Sequence, residues 1–215
     1  MNKIFAIFIS VFMAGCVSIQ NSPVSENTIS NMANKSIIIS SRTNQDFLAA
    51  TAGRSAFGAL GQMEMISAGN EILSQYDIAD PAGYIANELA VHLASDFKML
   101  YIDNEMVSVN AKTTSGVSKV PFGSDYLLDI HTTAWGFTYF ATDWNNYRVY
   151  YNAKLRLIDA ATKEASAEGF CSWTPKKTPN APSYDELLGQ GASRLQQEIK
   201  RAADFCVSQF KEKIF

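Results

Sequence analysis

Three cysteines and two histidines are the side chains of this 215-residue chain best suited to covalent or metal chemistry. A cysteine hydrolase needs a thiolate, a histidine within hydrogen-bond reach and a group that orients the ring. Cys171 and His131 both fall in strand-like sequence, but residue parity puts them on opposite faces of a shared sheet. His92 falls beside the apolar stripe of a helix and reads as a packed or rim histidine. With so few imidazoles and no close ligand spacing, no metal site is expected. Gly-x-Ser-x-Gly, the signature of a serine nucleophile on a sharp turn, does not occur. Gly53, Gly58 and Gly61 imitate the spacing of a phosphate loop but lack the following Lys-Ser/Thr pair, so close packing explains them better. Asp129 and Glu168 read as isolated, solvated carboxylates. No catalytic set emerges. Neither an enzymatic activity nor a cofactor is expected.

Cys16 offers a different chemistry. It follows a short cationic stretch, Met1-Asn2-Lys3, an apolar run from Ile4 to Met13 broken only by Ser10, and the small residues Ala14 and Gly15. That is the layout of a secretory signal peptide over residues 1–15. The apolar run is too short for a permanent bilayer span, which takes about 20 residues. Met13-Ala14-Gly15-Cys16 resembles the lipobox of bacterial lipoproteins, with Met where that family usually has Leu. The resemblance implies a diacylglycerol thioether on Cys16, cleavage before it, and acylation (by palmitate, for example) of the new amino group. Several acyl chains anchor firmly, since each buried methylene contributes about 0.8 kcal/mol. Val17 and Ser18, with no Asp at the second position, resemble the sorting pattern for the outer membrane, so a periplasm-facing outer-membrane lipoprotein is expected. Residues 16–35, rich in Ser and Asn, read as a flexible tether.

The remaining residues, 36–215, fit one domain. An apolar fraction of 47% supplies a core, and a net charge of −3 without a basic run disfavours nucleic acid as a partner. Ser36–Ser40 reads as a buried strand. Asp80-Pro81 starts a helix marked by Ile85, Leu89, Leu93 and Phe97. Residues 99–109 hold one or two short strands, and strand-like runs follow at 125–140, 147–158 and 164–173. Ser183 and Glu186 form a capping box for a last helix, whose apolar face runs through Leu187, Leu188, Gly191, Leu195, Ile199, Ala202, Cys206 and Phe210. Residues 46–75, dense in Ala, Gly and Met, resist assignment. They pack on the sheet or touch a membrane or another copy, but Arg54 and Glu64 leave only nine uncharged residues between them, too few for a spanning helix.

In the run 147–158, Tyr147, Val149, Tyr151, Ala153, Leu155 and Leu157 alternate with polar residues and should face the core. A hairpin turning near residue 161 would set Leu157 against Ala165, Tyr151 against Cys171 and Val149 against Trp173. Cys171 then lies on the core face, where the last helix brings Cys206. Two cysteines aimed at one interface, in an oxidising compartment, are expected to form a disulfide. A turn near 143–144 would put Trp135, Phe137 and Tyr139 on the outer face with Arg148 and Tyr150. Aromatic and arginine residues together suggest a partner surface.

The order strand, helix, meander and C-terminal helix gives an α+β fold with a mainly antiparallel sheet packed with helices. The Ile37–Ile39 strand, the Asp80-Pro81 helix start, Leu155-Arg156-Leu157-Ile158-Asp159 before its hairpin turn and the closing helix resemble the TolB amino-terminal-domain fold. Lipoproteins of the curli-secretion (CsgG) and penicillin-binding-protein-activator (LpoB) type belong to that group. The resemblance implies a non-enzymatic interaction or assembly module of the envelope, lipid-anchored and binding another envelope protein or itself. The alternative is an oligomeric subunit of an export or secretion apparatus.

Overall fold

The computed structural model describes residues 21–110 and 113–215. The expected signal over 1–15 and Cys16 lie outside the described residues. In chain order the elements are α1 (Glu26–Met32), β1 (Ser36–Ser41), β2 (Phe47–Ala50), α2 (Ala52–Ser55), α3 (Gly58–Gln75), α4 (Ala82–Asp96), β3 (Leu100–Ser108), α5 (Thr114–Val117), β4 (Tyr126–Phe140), β5 (Asp143–Asp159), β6 (Ala165–Trp173) and α6 (Tyr184–Lys213).

The α+β class expected from the sequence is the one observed. Six strands form one sheet in the order β3-β1-β4-β5-β6, with β2 pairing the later half of β4. The long β4–β5 and β5–β6 ladders are antiparallel, while β1 joins β3 and β4, and β2 joins β4, in parallel. Parallel neighbours need crossovers, and the 46–99 stretch supplies one. α3 lies on β2, α4 on β1 and β4, and α6 on β5 and β6, so the three long helices cover a single face. At the α3–β2 contact a Cβ on Gly69 would fall 1.8 Å from the Phe47 carbonyl oxygen. Glycine is what lets helix and strand approach so closely, and this accounts for part of the unassigned segment.

The alternation in β5 is realised. Val149, Tyr151, Ala153, Leu155 and Leu157 are all buried, with Ile85, Leu89 and Leu93 of α4 and Leu195, Ala202 and Phe210 of α6 in the same core. Asp80 accepts from the Ala82 backbone N–H at 2.8 Å at the start of α4. The capping box on α6 is present in both directions. Cys171 and Cys206 are bonded, with Cα atoms 5.5 Å apart, tying β6 to α6.

Four expectations need correction. First, residues 21–35 are not a tether. Ser22 exchanges backbone hydrogen bonds with Glu168 at 2.8 and 2.9 Å, and the Val24 N–H donates to the Ile214 carbonyl at 2.9 Å. Met32 of α1 is wholly buried. A polar segment gains order here by shielding the exposed edge of β6. Second, β6 is shifted two residues from the expected register, so Tyr151 faces Trp173, Ala153 faces Cys171 and Leu157 faces Ala167. An even shift keeps parity, which is why Cys171 still faces the core. Third, the β4–β5 turn comes at Ala141-Thr142, not 143–144, and pairs Trp135 with Tyr151, Phe137 with Val149 and Tyr139 with Tyr147. A one-residue slip moves every side chain to the other face. Fourth, α6 is broken. Gln190, Gly191 and Ala192 have φ of 52°, 68° and 57°. After the break Ala192, not Gly191, points inward.

Candidate interaction surface

The residues weighed for catalysis are occupied otherwise. Cys171 is in the disulfide. His131 pairs with Lys154 in the ladder, on the face away from Cys171. His92 Nδ1 lies 3.3 Å from Asp96, its ring meets Phe97 edge-on at 5.8 Å, and burial lowers its pKa. Among the described residues, no group of three or more His, Cys, Asp or Glu side chains could hold a metal ion.

Asp129 is not an isolated surface charge. It is fully buried on the outer side of the sheet. Its two oxygens accept from Nε and Nη2 of Arg42, both at 2.7 Å, and Ser40 Oγ donates to it at 2.8 Å. Arg156 Nη1 donates from 3.4 Å, and Arg156 Nε lies 3.4 Å from Glu168, which in turn pairs with Lys154. This charged chain joins β1, β4, β5 and β6. Next to it Ile38, Leu127 and Ile158 pack beneath Val109 and Val117. On the helical side, Asp80 accepts from Thr132, whose hydroxyl lies 2.9 Å from that of Tyr151. Burial pushes the Asp80 carboxyl above its usual range and the Tyr151 phenol upward as well.

The aromatic partner surface is corrected in part. Trp135 and Phe137 are 1% and 0% exposed and belong to the core. Trp135 donates to the Gln45 carbonyl at 2.9 Å and meets Phe47 edge-on at 4.9 Å. Tyr139 packs partly buried against the same core. Arg148 and Tyr150 do lie on the outer face, as expected from alternation.

An exposed apolar surface lies elsewhere, at the end of the sheet where β4 turns into β5, apart from the scattered Val91, Leu100 and Met106. There Tyr147 N–H donates to the Pro182 carbonyl at 2.7 Å, which fixes the proline-rich loop against the hairpin. Phe137, Tyr147 and Tyr184 stack edge-on at 5.8–5.9 Å and support the α2–α3 corner. An ion pair of 3.4 Å between Arg54 and Glu64 ties α2 to α3. On that corner Phe57, Leu60 and Met63 are 69%, 76% and 70% exposed. Leu60 and Met63, three apart, share one side of the start of α3 away from the buried Gly61 and Met65, and Phe57 stands at its N-cap. Trp144, 65% exposed, stands on the neighbouring hairpin. No single signal along the chain marks these residues, because Gly58 and Gly61 interrupt the apolar periodicity.

Two hollows share Tyr147 at this end. A shallow one is bounded by Thr51, Phe57 and Tyr184. The other, about 530 Å³, lies between the hairpin, the 175–182 loop and α6. The first described residues lie along β6, where Asn21 Oδ1 accepts from the Phe170 N–H and Ser22 pairs with Glu168, itself paired with Arg156. From Arg156 to Tyr147, β5 runs about 30 Å. Among the described residues no helix is long and apolar enough to cross a membrane.

No described protein family and no curated protein matches the chain. Among solved structures it is similar to the hypothetical protein CT253 from Chlamydia trachomatis, with a TM-score of 0.46 and 10% identity, over 84% of this chain and 98% of that one. It is also similar to the lipoprotein GNA1162 from Neisseria meningitidis, with a TM-score of 0.28 and 19% identity over 78% and 99%. A third is the LpoB C-terminal domain from Escherichia coli, with a TM-score of 0.19 and 11% identity over 71% and 96%.

Proposed function

We propose that this chain is a lipoprotein of the outer membrane that faces the periplasm and acts without catalysis, as a module that docks another envelope protein. Cys16 carries the lipid, and the end of the sheet bearing Phe57, Leu60 and Met63 carries the partner. The disulfide supports an oxidising compartment. The observation that carries the docking role is the exposed apolar corner. Three large side chains, each about 70% exposed and adjacent on one helix start, form the kind of contiguous patch that marks an interaction site. They flank Tyr147, about 30 Å along β5 from the level at which Ser22 pairs with Glu168, a separation that suits an anchor at Cys16 and a partner at the corner.

Native mass measurement of the full chain, extracted in mild detergent, tests this. The expected result is a defined complex with a second protein that dissociates in the Leu60→Asp, Met63→Asp variant. A large homo-oligomer instead would support the alternative, a subunit of an export or secretion apparatus. A monomer in both variants would remove the docking role.

A further inference from the structure

The larger hollow beside the apolar corner has chemistry of its own. Arg148, Lys176, Arg194 and Arg201 line it, and Glu198 is the one carboxylate among them. Glu198 already receives Arg194 at 2.8 Å and Arg201 at 2.9 Å. The surplus here is positive in a chain whose net charge is −3. Three donors at the cleft, Arg148 Nε, Arg194 Nε and Trp173 Nε1, are buried and meet no protein acceptor. Buried N–H groups are nearly always paired, so three unpaired donors among the residues of one cleft leave room there for acceptors. Aromatic rings stand among the charges. The Arg148 guanidinium lies 5.2 Å from the centre of the Phe140 ring, and Trp173 meets Phe205 at 4.8 Å with the rings tilted by 48°.

We propose that this cleft binds an acidic peptide segment of the docking partner. Side-chain carboxylates of the segment meet Arg148 and Arg194, and a neighbouring apolar side chain rests against Phe140 and Trp173. The planar fork of arginine matches a carboxylate at two points. A cleft of about 530 Å³ falls within the usual range for organic ligands, about 300–1,000 Å³, and is far larger than one inorganic anion requires. Tyr147 lines both this cleft and the hollow at the apolar corner, so one partner can cover the two. The inference rests on the docking role proposed above.

Calorimetric titration of the full chain in detergent tests it with three probes. These are a blocked peptide of alternating Glu and Phe, the same peptide with Gln for Glu, and inorganic phosphate. The Glu peptide is expected to bind at least about tenfold more tightly than the Gln peptide. Arg194→Gln should weaken it about tenfold, and Arg194→Lys should not restore it, because the charge returns without the fork. Lys176→Glu, at an exposed position, provides a second variant that does not depend on packing, and it too should weaken the Glu peptide. Leu60→Asp should leave peptide affinity unchanged while disrupting the partner complex. Equal affinity for the two peptides, no binding of either, or displacement of the Glu peptide by millimolar phosphate would overturn the proposal. If the peptide fails while the native complex still depends on Leu60 and Met63, the cleft assignment falls and the docking role stands. If the complex is absent but the peptide binds through Arg194, the reverse holds.

Discussion

Asp129 holds two guanidiniums in the interior of the outer sheet layer, with 0% of its side chain exposed and only 9% and 4% of those of Arg42 and Arg156. Removing one member of such a set leaves the opposite charges buried. Asp129→Asn is expected to cost about 3–5 kcal/mol of folding stability, read from urea unfolding at neutral pH. Asp80 behaves differently. Burial raises its folded pKa above the ordinary 3.8, against the opposing hydrogen bonds from Thr132 and the backbone. A carboxyl raised on folding takes up a proton more readily in the folded state. Its contribution is therefore fully present below the unfolded pKa and is lost as pH rises through the raised value. Asp80→Asn does not titrate. Unfolding series at several pH values should show the wild type losing ground relative to Asp80→Asn as pH rises through that window. A difference independent of pH would contradict the shift. Neither role was legible in the sequence. Asp129 looks isolated along the chain because Arg42, just past β1, and Arg156 of β5 are distant in sequence, and Asp80 looks like a simple helix cap because Thr132 and Tyr151 are brought to it only by the sheet.

At the scale of elements, the disulfide is the most direct link between the two layers. It closes a separation of 35 residues, which the chain-entropy model values at about 4 kcal/mol. The double variant Cys171→Ser, Cys206→Ser is expected to lose about that much stability, and thiol titration of the denatured, unreduced chain should find neither sulfur free. Two titratable thiols from these positions would refute the bridge. The pairing was readable because it depends on parity alone: a register wrong by two residues still placed Cys171 on the core face. The aromatic surface depended on a turn position, and there an error of one residue exchanged core for solvent. Trp135 and Phe137 went inside because Ala141-Thr142 makes the turn. The α6 break was also hidden. Gly189-Gln190-Gly191 reads as tolerable within a strong helix pattern, while the left-handed residues there move Arg194 to the edge of the cleft.

For the whole molecule, the exposed apolar corner is set apart from the first described residues. The described chain starts along β6 and Ile214, where Asn21 Oδ1 accepts from the Phe170 N–H and Ser22 pairs with Glu168, while the exposed apolar corner lies by the β4–β5 turn and the cationic cleft reaches from there to Trp173. The class of fold and the order of β1, α4, β3 to β6 and α6 followed from hydrophobic period and helix caps, while α1, β2 and α3 did not. The corner did not, since its exposure is set by what α3 packs against and not by what α3 contains. The central claim is that this end meets a protein while the other stays near the membrane. Photocrosslinking in cells, with a photoreactive side chain placed at position 60 or at position 161 of the full chain, measures it directly. A discrete protein adduct is expected from position 60, lost on Met63→Asp and absent from position 161. Equal adducts from the two positions, lipid adducts from position 60, or no adduct from position 60 would contradict it.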